Sequence, residues 1–402
     1  MTTDWTAIRS RLPVRRTAHR PPRGGWKSPH RSIVAPLAAT IAATVAVGVG
    51  VAVARAGRER HRVVPRAPDP DLGLHRGERL AGGMRRMALD QVDLAIDLLE
   101  RSAAGVVDER TVHETRKALK RLRALLRLLR AELGEETFAR ENAALRDIAA
   151  RLAGARDAEV MLATLHALIE RYPRKLARRR GVEKLLARLA ADHARLARQT
   201  LGEQATRGEG LDGLRAFRAR AGAWQLPDRP GSSLIEPGLS GIYRQGRGRY
   251  RRAARSKRRR VAAMHAWRKR VKDLRYAVEM LEWREPAAPR GKRSKGRRSK
   301  GAQARRLRGL ARRADELGEL LGEDHDLAML AQAIGAAGGK RAAGGLRVGA
   351  GTRKTLLKVI AHRRRELRRR TLREGARLYA SSPRSFVRRV RRAHKGARRQ
   401  LS

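Results

Sequence analysis

The sequence contains no cysteine, few aromatic residues and few acids. Without cysteine, the chain has no disulfides, thiolate nucleophiles or Cys-ligated metals, and the composition fits a reducing compartment. Aromatic residues make up 3% of the 402 residues, so few side chains can stack on single-stranded bases. Asp and Glu number 39 against 95 Lys and Arg, which leaves a formal net charge of +56. Positive charge therefore dominates the chemistry of the chain.

This excess of positive charge indicates a polyanionic partner. Nucleic acid, an anionic membrane face and a phosphate polymer all fit such a charge. The alternative is a solvated, arginine-rich surface that has no specific partner. Composition alone leaves these interpretations open.

The N-terminal region predicts two segments and a linker. Residues 1–32 are basic and lack apolar periodicity, so we expect them to be disordered. Residues 33–54 are 22 positions without a charge, long enough for one transmembrane anchor, although Ala, Val and Gly make its insertion energy weak. A cleaved signal peptide is the alternative. Basic residues flank the segment on both sides, which leaves its orientation open, and residues 55–73 form a proline-rich linker.

The remainder of the chain has the pattern of an all-α protein. Ala, Leu, Arg and Glu dominate, β-branched runs are rare, and helical periodicity recurs from about residue 77. We expect one helical domain over residues 74–394. Residues 284–303, which are basic and of low complexity, and residues 335–351, which are rich in Gly and Ala, are predicted to be loops.

A repeated motif is the most specific feature. The pattern H-x-x-R-K-x-x-K-x-L-R begins at His113 and again at His265, at a constant offset of 152 residues. On a helix turning about 100° per residue, its charged positions fall within an arc of about 120°. Each copy therefore predicts a helix with a basic stripe and a separate apolar stripe. The apolar stripes consist of Leu119, Leu122, Leu125, Leu126 and Leu129 in the first copy, and of Val271, Leu274, Val278 and Leu281 in the second.

The basic stripes are predicted to bind an extended polyanion. Like charges at i,i+4 cost roughly 0.2–0.5 kcal/mol per pair on an exposed helix, so a partner that neutralises them is expected. Guanidinium groups bind phosphate oxygens bidentately, and ammonium groups act as adaptable point charges. A row of such groups along about two to three helical turns suits a chain of phosphates better than one small phosphate ester.

The paired motifs resemble those of the CHAD family, the conserved histidine α-helical domain, over roughly residues 74–394. The resemblance implies two four-helix bundles related by a pseudo-twofold axis, with halves at about 74–200 and about 237–394. It also implies a basic surface that binds inorganic polyphosphate. The binding residues that it implies are His113, Arg116, Lys117, Lys120, Arg123 and Arg127, with His265, Arg268, Lys269, Lys272 and Arg275 in the second half. Further arginines are expected from other helices, either Arg85 or Arg86 and either Arg244 or Arg251.

The histidines and the acidic segments each have two interpretations. His113 and His265 are expected to donate hydrogen bonds to phosphate, because a nearby anion favours the imidazolium. Alternatively, backbone carbonyls or an acid satisfy them at a helix end. Asp157 and Asp326, which align in a second internal echo, are interpreted as helix caps or as partners of the stripes. The EDHDL segment at 323–327 is interpreted as a solvated helix start, and neither a metal nor a cofactor is expected.

The sequence favours a binding protein over an enzyme. It has no glycine-rich phosphate loop ending in Lys-Ser/Thr, no H-E-x-x-H, no G-x-S-x-G and no E-x-E-x-K motif. We expect non-catalytic polyphosphate binding in the cytoplasm, at polyphosphate granules or against the inner membrane. A nucleic-acid-binding protein and a membrane-surface protein that binds anionic lipid are the alternatives, and the oligomeric state is open. Reversing Lys117 and Lys269 to Glu should weaken binding more than reversing two off-stripe residues, Arg121 and Arg270.

Overall fold

The computed structural model describes residues 72–401, apart from 104–108, 152–153, 203, 230–231, 257–259, 285–301 and 337–347. The predicted disordered segment at 1–32, the predicted anchor at 33–54 and nearly all of the 55–73 linker lie outside the described residues. Within the described part, no helix combines the length and the apolar content that crossing a bilayer requires. The anchor stays a prediction.

Twelve helices and one pair of two-residue strands make up the described residues, and the predicted all-α class is confirmed. The elements are β1 (Leu74–His75), α1 (Leu80–Ala103), α2 (Glu109–Leu133), α3 (Glu135–Arg151), α4 (Gly154–Arg171), α5 (Pro173–Leu176), α6 (Arg180–Gly202), α7 (Gln204–Gly222), α8 (Glu236–Arg255), α9 (Arg260–Glu279), β2 (Trp283–Arg284), α10 (Ala302–Ala336), α11 (Ala350–Leu378) and α12 (Pro383–Leu401). The strands pair in parallel, with Leu74 opposite Trp283 and His75 opposite Arg284.

Helices α1, α2, α3 and α7 pack in a closed ring in which each helix contacts two neighbours. The five leucines of the first apolar stripe are fully buried inside this ring, as predicted. Gly134, with φ of +77°, follows the end of α2 and reverses the chain into α3, since glycine tolerates this conformation without strain. Helix α7 follows residue 200, near the expected end of the first half, and still packs on α1 and α3.

Helices α8, α9, α10 and α12 pack in a second ring with the same order of contacts. The four residues of the second apolar stripe are fully buried in it, which confirms the predicted apolar face of α9. Helix α2 of the first ring contacts both α8 and α9 of the second, and one hydrophobic core runs through both rings. The two motif helices, α2 and α9, therefore lie side by side.

Two further helix pairs form a separate core. Helix α4 packs on α6, α10 packs on α11, and α4 contacts α10. The long helix α10 takes part in both cores: Leu307 and Leu321 are buried in the first, whereas Leu327 and Ile334 are buried in the second. Helix α10 is thus the rigid connection between the second ring and this outer layer.

The predicted helix start at 323–327 is wrong, because this segment lies inside the uninterrupted helix α10. Asp324 is buried rather than solvated, and it accepts a hydrogen bond of 2.9 Å from Arg364 Nε on α11. Asp326 is likewise in the middle of α10, so it does not cap a helix. Glu323 and Asp324 thus hold α11 against α10 through Arg363 and Arg364.

Aromatic side chains gather where α8, α9, α11 and α12 approach one another. Tyr243 stacks on Phe386 with 3.9 Å between ring centroids, and its ring lies 5.3 Å from that of Tyr379. Gly375 faces the indole of Trp267, and a Cβ at this glycine would lie 2.5 Å from the ring. Several of the few aromatic residues thus lie together behind the second motif helix.

Candidate functional site

The two basic stripes meet where α2 lies against α9. Arg127 Nη1 lies 3.5 Å from Asp273 Oδ1 across this boundary. Asn142 of α3 accepts hydrogen bonds from Arg123 Nε at 3.0 Å and from Arg127 Nη2 at 3.5 Å. These contacts hold the ends of two predicted binding residues in place, close to Lys269. We call this meeting point the seam and define it by Arg123, Arg127, Lys269 and Asp273.

Positive charge is crowded at the seam. Partial burial lowers the pKa of the Lys269 ammonium, and repulsion from Arg123, Arg270 and Arg268 lowers it further. Burial also lowers the pKa of the Arg127 guanidinium to about 10, so that this group remains charged at neutral pH. A bound anion would raise both pKa values again, because it favours the charged forms of the neighbouring lysine and arginine.

Asp273 is the acid at the centre of the seam. It is 8% exposed and forms salt bridges with Arg127, at 3.5 Å, and Arg270, at 3.1 Å. Burial raises the pKa of its carboxyl, and the neighbouring arginines oppose that shift only in part. The equivalent position in the first motif is Arg121, which is 2% exposed and donates to Gln91 Oε1 at 3.2 Å. The two copies of the motif thus bury opposite charges at the same position.

Asp273→Ala should lower the free energy of unfolding by on the order of 3 kcal/mol, because two largely buried guanidinium groups lose their counter-charge. Urea unfolding of the full chain measures this loss. Asp147→Ala removes an acid that is 60% exposed and paired with Arg146, so it serves as the control, with an expected change below about 0.5 kcal/mol. Equal losses in both variants would contradict a structural role for Asp273.

The first stripe runs along α2 with differing exposure. Lys117 Nζ lies 2.9 Å from Glu114 Oε2, and Arg116 Nη1 donates to the Ala149 carbonyl at 3.4 Å. Lys120 is exposed, whereas His113 is partly exposed near the beginning of the helix. The structure thus places all the predicted residues of the first copy on α2, and Lys120 is its most solvent-accessible cation.

The far, C-terminal end of the second stripe consists of Lys272 and Arg275, and carboxylates already contact both residues. Lys272 Nζ lies 3.0 Å from Glu319 Oε1 of α10, and Arg275 Nε lies 2.7 Å from Glu279 Oε1. Arg275 also pairs with Asp315 of α10. Burial alone would lower the pKa of the Arg275 guanidinium, but these carboxylates outweigh it and raise the pKa. A polyanion would have to displace acids from Lys272 and Arg275 before it could bind them.

The near, N-terminal end of the second stripe, formed by His265 and Arg268, lies beside a histidine that is not part of the motif. The rings of His265 and His325 lie 4.2 Å apart between centroids and are tilted by 32°. Arg268 crosses α10 one turn before His325, where a Cβ at Gly322 would lie 3.4 Å from the guanidinium. Burial lowers the pKa of His265 to about 4, and His325, Lys269 and Arg268 add to the shift. The His265 ring is therefore neutral at pH 7, and burial lowers the pKa of His325 as well.

The other arginines expected at the site differ in role. Arg86 binds Glu78 Oε1 at 2.7 Å, Asp90 Oδ2 at 2.8 Å and the Gly73 carbonyl at 2.6 Å, so it fastens the N-terminal end of the described chain. Arg85, Arg244 and Arg251 are exposed. Among the described residues, no group of three or more His, Asp or Glu side chains is placed to hold a metal ion.

Several residues of the site escaped sequence reasoning. Asn142, Glu319 and His325 lie on helices other than those of the motif, and each contacts a predicted binding residue. One available signal was the spacing of Asp315, Glu319 and Glu323, four residues apart on a single helix face. That spacing predicts an acidic stripe able to pack along a basic one.

The helical rings and the seam define an all-helical protein built around a duplicated basic helix. The family model of the CHAD domain matches residues 90–335, more than half of the chain, and the protein belongs to this family. Both motif helices lie within the matched residues. A search of curated proteins returned no match. The resemblance carried by the paired motifs is thereby confirmed.

Proposed function

We propose that the protein binds inorganic polyphosphate, without transforming it, on the basic surface formed by α2 and α9. The observation that carries this proposal is the seam, where the two motif helices bring Arg123 next to Lys269 and Arg127 next to Asp273. Two separate stripes thereby join into one longer row of cations. Such a row suits a long chain of phosphates, because successive phosphate groups can each contact a different cation.

The proposal assigns unequal roles to the predicted binding residues. Lys120 lies on α2 three residues before Arg123, and Lys269 belongs to the seam. Both lysines are exposed, so they are the first contacts for a polyanion. Lys272 and Arg275 already hold carboxylates and would contribute only after an exchange of partners. The strongest binding is therefore expected from the first stripe together with the near end of the second.

Support for a binding rather than a catalytic role comes from the acids. Hydrolysis of a phosphate chain requires a positioned nucleophile or a metal held by carboxylates. The carboxylates nearest the second stripe, those of Asp315, Glu319 and Glu279, each pair with a lysine or arginine of that stripe. They limit the charge of the surface instead of converging on a reacting group.

The proposal extends to the whole molecule. The shared packing order of the two rings supports a pseudo-twofold relation between the halves, which would continue the basic row on both sides of the seam. We place the protein in the cytoplasm, at polyphosphate granules or held to the inner membrane through residues 33–54. No cofactor is needed for binding of this kind.

Competition between polymers tests the proposal. The full chain is bound to long-chain polyphosphate at physiological salt and challenged with duplex DNA of matched charge. Retention of polyphosphate is expected, because the stripes are narrow and no element of a known DNA-reading motif accompanies them. Equal exchange of the two polymers would indicate a generic basic protein. Capture by anionic lipid vesicles but not by polyphosphate would favour the membrane-surface alternative.

A further inference from the structure

We propose that His325, together with His265 and Arg268, forms a phosphate-binding subsite at the near end of the second stripe, and that this subsite takes up a proton when a phosphate chain binds. The inference rests on the proposed function and extends it to a residue outside the repeated motif. Its basis is the geometry of three side chains contributed by α9 and α10.

Three buried nitrogens at this place make no hydrogen bond with any described residue. They are Nδ1 of His265, Nδ1 of His325 and Nε of Arg268. Buried polar atoms in native proteins nearly always have a partner, so a group of them calls for a ligand or a rearrangement on binding. The two rings also lie only 4.2 Å apart, which brings their nitrogens close enough to act on one phosphate group.

The surroundings favour an anion over a metal ion. From α9, Arg268 and Lys269 lower the pKa values of both histidines, after the larger effect of burial. Neutral imidazoles could ligate a metal, but the neighbouring guanidinium and ammonium groups would repel the cation. The same two cations attract a phosphate group, and the imidazoles can each become donors to it once protonated.

The other charged groups near His265 and His325 leave the preference for an anion over a metal ion in place. On α10, Asp324 and Asp326 act on His325 and oppose the lowering of its pKa only in part. Asp324 is held by Arg364 of α11, and Arg368 of the same helix lies near Asp324 and Arg260. From α2, Arg123 acts on Lys269. Arg268 and Lys269 thus act on both rings, whereas Asp324 and Asp326 act on His325 alone.

Proton uptake follows from the lowered pKa values. Two imidazolium rings at this separation repel each other, so the pair is expected to share one added proton. A phosphate group at the subsite favours the charged form and moves the pKa from about 4 toward its ordinary value near 6.5. Because the complex then binds the proton more tightly than the free protein, affinity rises as pH falls. Linkage gives about a tenfold tighter complex at pH 5.5 than at pH 7.5.

The test is the pH profile of polyphosphate binding by the full chain. Dissociation constants for long-chain polyphosphate are measured from pH 5.5 to 7.5 at constant ionic strength, for the unaltered protein and for His325→Gln and His265→Gln. The control is His362→Gln, which removes a half-exposed histidine of α11 that pairs with Glu366. Titration of the polymer's own end groups is common to all proteins and cancels in the comparison.

The unaltered protein and His362→Gln should each gain about tenfold in affinity on acidification. His325→Gln and His265→Gln should gain less than about threefold on acidification, and helical circular dichroism reports that both variants are folded. Calorimetry at pH 5.5 in two buffers of different ionisation enthalpy should show proton uptake in the unaltered protein and less in His325→Gln. A His325→Gln profile identical to the unaltered one would overturn the inference, whereas the absence of binding at every pH would instead remove the proposed function.

Discussion

Gly238→Ala is expected to lower the free energy of unfolding by about 3 kcal/mol or more. Gly238 lies in the first turns of α8, where this helix crosses α2. A Cβ at this position would lie 1.9 Å from the Leu128 carbonyl oxygen and 2.5 Å from its carbonyl carbon. Backbone atoms cannot rotate away as a side chain can, so the two helices must separate. The loss would fall on the contact that joins the two rings.

The matched control is Gly248→Ala on the same helix. A Cβ at Gly248 meets nothing within 4 Å, so the change should raise the free energy of unfolding by up to about 1 kcal/mol through helix propensity. Urea unfolding of the full chain compares the two variants, with helical circular dichroism as the signal. Similar urea midpoints for the two variants would show that the crossing of α2 and α8 accommodates a methyl group at Gly238, which would contradict the prediction.

The same crossing connects stability with binding. Leu128 is the residue after Arg127, so a displacement of α8 from α2 acts directly on the seam. Gly238→Ala protein that remains folded should therefore also bind polyphosphate more weakly. In this way the packing of small residues in the core supports the arrangement of charges at the surface.

The faces of the motif helices could be predicted because helical periodicity is local. The spacing of leucines and valines placed the apolar stripes inside the rings, and both are fully buried. The basic stripe followed from the same periodicity. Its internal repeat also indicated two similar halves, since identical spacing predicts identical helix faces.

The pairing of charges could not be predicted, because it depends on which helices cross. Glu319 contacts Lys272 although it lies 47 residues later in the chain, and Asp273 contacts Arg127 across the seam. Helical spacing placed Arg121 and Arg270 off the basic stripes, which made them the comparison for charge reversal. Arg121 is instead 2% exposed, and Arg270 holds Asp273, so charge reversal at either would disturb folding. Spacing reveals which face a residue occupies but not what lies opposite.

Reversing Lys120 and Lys269 to Glu together should weaken polyphosphate binding by about 100-fold. Each lysine is exposed, so the fold is expected to tolerate the change. Loss of a charge-assisted contact to phosphate costs about 1.5–3 kcal/mol, and two such losses give at least this factor. The magnitude of the slope of log affinity against log salt should also fall by about 1.4, because fewer counterions are released on binding.

The control reverses Lys184 and Lys358, which are exposed on α6 and α11 in the outer layer. Both double variants change the net charge by the same amount, so any difference between them reports position rather than total charge. The control should bind within about threefold of the unaltered protein and keep its salt slope, since its lysines make no contact with the polymer. Equal weakening of the two would mean that polyphosphate follows the net charge of the protein and that the seam is not its site.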